Sequence, residues 1–301
     1  MNLQALMYVV FTGMLYATAI ISTRFSLGQF DPLAFVALRL LICGVAFVLV
    51  FILGGRRYRW PTDRATWKHG IIVGVLDTAL PMTLFVSALQ YQSSGVASIL
   101  ISLFPALIMV LAHFFLPDER LNAQKLIGVG LALSGAVLLV ARGETGLPNL
   151  AEASPWGYIL TLTGITTGSF MTIYARKYMS EMETIDVVSV RMWTAMVLMI
   201  PISLFVGGWE FSEVTNVGVW VLLISALIGT FLPFMTSFYI LKQFGATTSS
   251  MTTYVTPVAT TIGGALILHE IVTIGMLWGM LLIVAGIIIV NRPSRRPKVY
   301  V

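Results

Sequence analysis

The chain says the same thing twice. Shifting it by 152 positions lays Arg24 on Arg176, Arg39 on Arg191, Pro81 on Pro233, Ser98 on Ser250 and Pro105 on Pro257. Asp31 falls on Glu183 and Leu80 on Leu232. After a one-residue gap the register resumes with Glu119 on Glu270, Gly128 on Gly279 and Gly135 on Gly286. The repeated unit is mostly apolar, so the duplicated object is a membrane domain. Duplicated membrane domains are a common plan of secondary transporters. The repeats divide the chain into residues 1–149 and 150–301.

Composition excludes a water-soluble fold. Hydrophobic residues make up 57% and charged residues 10%, whereas soluble domains carry roughly 25% charged residues. The net charge of +5 comes from basic residues in short loops between apolar segments. Those are topology signals and not a phosphate-binding stripe, so no nucleic-acid partner is expected. Cys43 is the only cysteine, which rules out an intrachain disulfide; it reads as a small buried thiol. Residues 1–21 have no basic leader region and no clear cleavage signature, so no cleavable signal peptide is expected.

Each crossing of the hydrocarbon core needs about 20 apolar residues. On that measure the sequence predicts an all-α membrane protein of ten spans. They lie near 3–23, 33–53, 69–90, 95–116, 123–141, 156–177, 186–206, 217–240, 246–268 and 273–291. The longest polar connections, Gly54–Lys68, Arg142–Pro155 and Gly207–Asn216, are too short for a soluble domain. No ATPase module or subunit is implied.

Lys and Arg set the orientation. With the N-terminus in the cytoplasm, the inner loops receive Arg56, Arg57, Arg59, Arg64, Lys68, Arg120, Lys125, Arg176, Lys177, Lys242, Arg292, Arg295, Arg296 and Lys298. The outer loops keep only Arg24 and Arg142. Both termini are therefore expected in the cytoplasm. Five spans per repeat is an odd number, so the second repeat enters the membrane upside down, and Arg24 and Arg176 should end at opposite faces. Two inverted halves can exchange conformations, which suits alternating access.

Polar side chains within spans should face the interior. The ninth span is rich in hydroxyls, from Thr247 through Thr253, Tyr254, Thr256 and Thr261; the fourth carries Ser93, Ser94, Ser98 and Ser102, and the sixth carries Thr161, Thr166, Thr167 and Tyr174. Spans 5 and 10 hold mainly Leu, Ile, Val, Ala and Gly. This predicts a cavity lined by spans 1, 3, 4, 6, 8 and 9, with 5 and 10 peripheral. Any one hydroxyl could equally bond its own helix backbone; the cluster on span 9 is expected to face water or substrate.

Pro81, Pro105, Pro233 and Pro257 each remove an N–H within a span, which a neighbour or cavity must compensate. Asp77 is the one carboxylate placed deep in a span, and its echo is Gly229. It could bind a substrate ammonium, relay a proton, pair with an arginine such as Arg39, or sit near the interface. Arg39 and Arg191 read as anchors partnering Asp31 and Glu183, with a substrate carboxylate as the sharper alternative. His113 and His269 fall near span ends. The candidate pathway set is Tyr16, Asp77, Pro81, Ser98, Ser102, Pro105, Thr166, Tyr174, Pro233, Ser237, Thr253, Tyr254 and Pro257. No catalytic, metal or cofactor residues stand out, and scattered histidines make no ligand set.

Pro105 followed by Glu119, Gly128 and Gly135, repeated as Pro257, Glu270, Gly279 and Gly286, resembles the drug/metabolite transporter superfamily, and within it the EamA-type ten-helix exporters. The resemblance covers nearly the whole chain. It implies a carrier of the bacterial inner membrane that exports amino acids or other small metabolites, with the aromatic amino acid exporters as the nearest subgroup. The acidic residue sits in Pro117-Asp118-Glu119-Arg120 in one copy and His269-Glu270 in the other, a departure that leaves the substrate open. The alternatives are a channel or a membrane scaffold. The Gly70–Gly74, Gly164–Gly168 and Gly275–Gly279 spacings could serve oligomer contacts or internal packing.

Overall fold

Short polar side chains start most of the spans. Asp31 accepts from the amides of Leu33 and Ala34 (2.9 and 3.2 Å) and opens α2 (Pro32–Gly54). Asp63 accepts from Thr66 N and Oγ1 (2.8 and 2.9 Å) and opens α3 (Arg64–Ala88). Ser93 caps α4 (Ser94–Phe115), Asn122 caps α5 (Ala123–Ala141) and Thr215 caps the eighth helix. Each satisfies a donor that the first helical turn leaves unpaired.

The computed structural model describes residues 3–54, 60–116, 121–149, 154–179, 181–207, 209–244, 248 and 251–291, without the side chains at 184, 238, 241, 242 and 291. The remaining spans are α1 (Leu3–Ser26), α6 (Trp156–Tyr178), α7 (Thr184–Ile202), α8 (from Asn216 through Phe244), α9 (Thr252–Ile267) and α10 (Ile274–Asn291). No strand occurs among the described residues. Seven of the described helices are long and apolar enough to cross a membrane, and α9 and α10 are shorter apolar helices. The protein is an all-α integral membrane protein. With 23 residues α6 is as long as the others, but its threonines make it the least apolar of the long helices.

Most span boundaries fall within a few residues of the expectation; α8 runs on to Phe244, α9 as described begins at Thr252, and two further shifts have a visible cause or consequence. The third span begins at Arg64, not 69, because the Asp63 cap draws Arg64 and Lys68 into the helix. The first span runs on through Arg24 to Ser26. Glu119, Ser250 and most of the loop arginines lie outside the described residues.

Contacts between helix ends define two ends of the bundle. At one, Arg24 Nη1 donates to Leu89 O (2.8 Å), just past α3, and Glu270 reaches the start of α4. At the other, His69 near the start of α3 meets Tyr174 near the end of α6 (2.7 Å), and Tyr8 stacks near Tyr239 (4.8 Å). Arg24 thus belongs to the Glu270 end and Arg176 to the Asp63 end, as inversion of the repeat requires.

Helices α5 and α10 pair closely at the edge of the bundle. A Cβ at Gly128 would meet Gly286 O at 2.6 Å, and one at Gly135 would meet Gly279 O at 2.7 Å. Gly128 echoes Gly279 and Gly135 echoes Gly286, so each contact is the image of the other. Self-complementary contact of this kind is what a two-fold axis produces. The other glycine spacings also pack internally: Gly70 and Gly74 against α7, Gly164 and Gly168 against the rings of Phe85 and Phe104.

Candidate functional site

The third and eighth spans widen at matching places. Residues Gly74–Ala79 form a π-helical turn ahead of Pro81, and Leu227–Phe231 form another ahead of Pro233. A proline brings no N–H, and π turns recur at functional positions because they leave backbone groups open. The Asp77 carbonyl, one turn back from Pro81, accepts from Arg191 Nη2 at 3.4 Å. Likewise Pro257 frees the Thr253 carbonyl, which accepts from Ser102 Oγ at 3.4 Å. Pro81, Pro233 and Pro257 are buried and Pro105 is half-buried at the midpoint of α4.

Around the first of these turns the charges meet. Arg191 Nη2 lies 2.7 Å from Asp77 Oδ2, and Arg191 Nε donates to Thr78 Oγ1 at 2.8 Å. The guanidinium stands 5.4 Å from the Phe234 ring on α8. Next to Phe234 along α8, Ser237 Oγ and Tyr16 OH are 3.0 Å apart, and Thr12 donates to Thr236 at 2.9 Å. Across the pair, a Cβ at Gly168 would lie 3.3 Å from Asp77 Oδ1 and 2.5 Å from Phe104. The absence of a side chain there lets α6 approach both.

The Asp77 and Arg191 side chains keep 16% and 15% of their surface accessible halfway along their spans. Charged groups at that depth face a protein-lined cleft rather than acyl chains. The path of α4 gives the cleft its shape. Its first half, Ser94–Ile101, packs against α9, while its second half, Phe104–Phe115, leaves α9 and packs on α6 and α5. Helices α4 and α9 are joined at the Glu270 end and diverge toward the Asp63 end.

The sequence expectations divide accordingly. Tyr16, Asp77, Pro81, Pro233 and Ser237 come together. The partner of Asp77 is Arg191, from the other repeat, and not Arg39, whose guanidinium donates to Thr23 Oγ1 (2.8 Å) and Ser225 Oγ (3.4 Å). Asp31 is spent on its helix cap and does not pair with Arg39. Span 7, absent from the expected lining, supplies Arg191. Ser98 and Ser102 are buried and bond α4's own carbonyls. Tyr174 joins His69 and Tyr178 at the Asp63 end. Thr166 sits on another face of α6 from Gly168 and bonds Leu162 O (2.7 Å). Tyr254 packs against an apolar cluster that includes Ile99, Leu103 and Ile165.

Most of the α9 threonines that were expected to face water are buried here, and Thr253 is half-buried. Thr252, Thr256, Thr260 and Thr261 turn toward α1 and α4, with Thr256 donating to Thr252 O and Gly13 O. Arg191 and Gly168 are the members outside the expected pathway set, while Phe234 is one of the aromatic residues expected at cavity positions. The repeated arginine was visible, but its partner is set by tertiary contact.

Among the described residues, ten apolar spans around a mid-bundle ion pair and aromatic rings make a polytopic membrane protein. The sequence profile of the EamA-like transporter family matches residues 3–141 and again residues 155–292, and the chain belongs to that family. Uncharacterized transporter YoaV of Bacillus subtilis is 27% identical, with 93% of this chain and 94% of that protein aligned. An uncharacterized transporter of Archaeoglobus fulgidus is 28% identical over 94% of this chain and 96% of its own. A probable amino-acid metabolite efflux pump of Escherichia coli is 25% identical over 65% of this chain and 60% of its own length. One crystal structure shares the fold with a TM-score of 0.66 at 20% identity, covering 98% of this chain and all of that one.

Proposed function

We propose that this transporter exports amino acids or related amphipathic metabolites by alternating access, in a bacterial inner membrane with both termini cytoplasmic. The repeats 1–149 and 150–301 act as the two exchanging halves. The observation that carries this reading is the Asp77–Arg191 pair, largely buried within the spans yet partly accessible, beside Phe104, Phe234 and Tyr16. A zwitterion brings one ammonium and one carboxylate, and this site holds one group of each opposite sign. The aromatic rings offer an apolar wall and a face for a cation. The name of the Escherichia coli relative supports the same cargo class.

In this mechanism the empty carrier keeps its two charges satisfied by each other. Cargo entering from the Asp63 end exchanges that internal pair for two pairs with itself. The cleft then closes behind it as α4 and α9 part at the Glu270 end. Proteoliposomes preloaded with an unlabelled amino acid should accumulate the labelled form transiently without ATP. A panel of aromatic, aliphatic and basic amino acids showing no saturable counterflow would reject the cargo assignment.

A further inference from the structure

Glu270 had no role in the sequence reading beyond its place in a repeated pattern. In the structure it is 8% exposed and lies in the short turn between α9 and α10. His269, just before it, takes a left-handed conformation (φ 55°) that reverses the chain. The Glu270 carboxylate thereby points at the start of α4 in the other repeat. Ser94 N and Ser94 Oγ donate to it at 2.7 Å each, and Gly95 N at 3.3 Å. A side chain at Gly264 would overlap this carboxylate, so α9 passes close behind it. An anionic acceptor of three bonds at a helix N-terminus is a strong tie.

Other bonds stitch the same end. Ser93 N donates to Thr145 O (2.7 Å), Ile271 N to Gly146 O (3.0 Å) and Gln92 Nε2 to Thr161 Oγ1 (2.6 Å). Just beyond, Arg24, Gln90, Pro148, Leu268 and Glu270 line a cleft of about 510 Å³. Yet the sealed interface is poorly satisfied. Among the described residues, Thr260 Oγ1, Thr261 Oγ1, Gln92 Oε1 and Tyr158 OH are buried with no hydrogen-bond partner. Native interiors pair nearly all such groups. Thr261 Oγ1 faces Gly95 at the start of α4, and an unpaired hydroxyl in the α4–α9 contact fits a surface that is hydrated in another state.

We propose that Glu270 is the latch of a gate formed by α9 and the first half of α4. When the latch releases, the two helices separate at the Glu270 end and the orphan hydroxyls reach water. Glu270 acts through α4 and touches no cargo, so it is a positioning residue. The inference rests on the alternating-access reading but not on the identity of the cargo.

The test uses the full-length protein in vesicles of both orientations, with Cys43→Ala removing the native thiol and Thr260→Cys as reporter. A membrane-impermeant maleimide measures reporter exposure from each side. Glu270→Gln keeps one acceptor oxygen and loses the charge, and should raise labelling from the Glu270 side about tenfold, a modest population shift. Ser94→Ala removes one bond only, leaves the carboxylate in place, and should raise it less. A second reporter, Ala132→Cys in the α5–α10 contact, should label at an unchanged slow rate. Unchanged Thr260→Cys labelling in both variants overturns the latch. So does equal acceleration at Ala132→Cys, which would mean general loosening. Since labelling needs no substrate, a wrong cargo assignment leaves this result intact.

Discussion

Asp77 and Arg191 face each other where the bilayer offers neither charge any solvation, so each depends on the other and on Thr78. Removing one member of such a pair leaves a stranded charge, at a cost of about 3 kcal/mol. Asp77→Asn should therefore lower thermal stability in detergent and abolish exchange. Adding Arg191→Gln should recover stability but not transport. A single variant with wild-type exchange at every pH would reduce the pair to packing. At the Asp63 end a different carboxylate does a local job. The Thr66 backbone N–H, followed by the Thr66 hydroxyl, holds the Asp63 carboxyl below the ordinary carboxylate range. A depressed value means the cap contributes above the unfolded value of about 3.9 and is lost as pH falls through the folded one. The melting-temperature difference between wild type and Asp63→Ala should be full at neutral pH and shrink on acidification below that range. A difference that grew with acid would contradict the capping role.

The helices owe their mutual arrangement to small residues more than to polar contacts. With a Cβ at Gly128 only 2.6 Å from the Gly286 carbonyl, α5 and α10 must separate to admit even a methyl. Gly128→Ala should cost about 1–3 kcal/mol, the usual penalty of overpacking, read as a lower unfolding temperature of the purified protein. Gly130 on the same helix has open space beside it, and Gly130→Ala should be neutral or slightly stabilising. Equal effects at the two positions would remove the close-approach argument. These elements were legible in advance because hydropathy alone marks a lipid-facing helix, and the peripheral place of spans 5 and 10 followed from their lack of polar residues. The pairing of Asp77 with Arg191 was not legible, since both arginines repeat with equal clarity and only tertiary contact chooses between them. The burial of Thr260 and Thr261 escaped for a related reason: composition counts hydroxyls but does not tell which helix face packs against a neighbour. Glu270 was visible as part of a pattern, but its task depends on the left-handed turn at His269, for which the sequence carries no glycine to signal it.

At the scale of the molecule, the two repeats are joined by contacts that map onto themselves. Gly128 with Gly286 and Gly135 with Gly279 exchange places under the repeat, as do the π turns ahead of Pro81 and Pro233. The symmetry breaks where Asp77 has Gly229 as its echo, so the carrier has one acidic centre and Arg39 finds hydroxyls instead. On the proposed exchange of states, a single mid-span carboxylate in a two-fold frame faces the two sides in turn. The frame itself dictates where surface reporters must lie. Arg24 ends α1 beside Leu89 at the Glu270 end, and Arg176 ends α6 near His69 at the other. In a Cys43→Ala background, Arg24→Cys should react with an impermeant thiol reagent added to intact cells, and Arg176→Cys only in inverted vesicles. That sidedness follows from the excess of Lys and Arg at the Asp63 end. Both cysteines reacting from one side would break the inversion on which the exchange of states depends, and the reverse sidedness would turn the carrier over while leaving its symmetry intact.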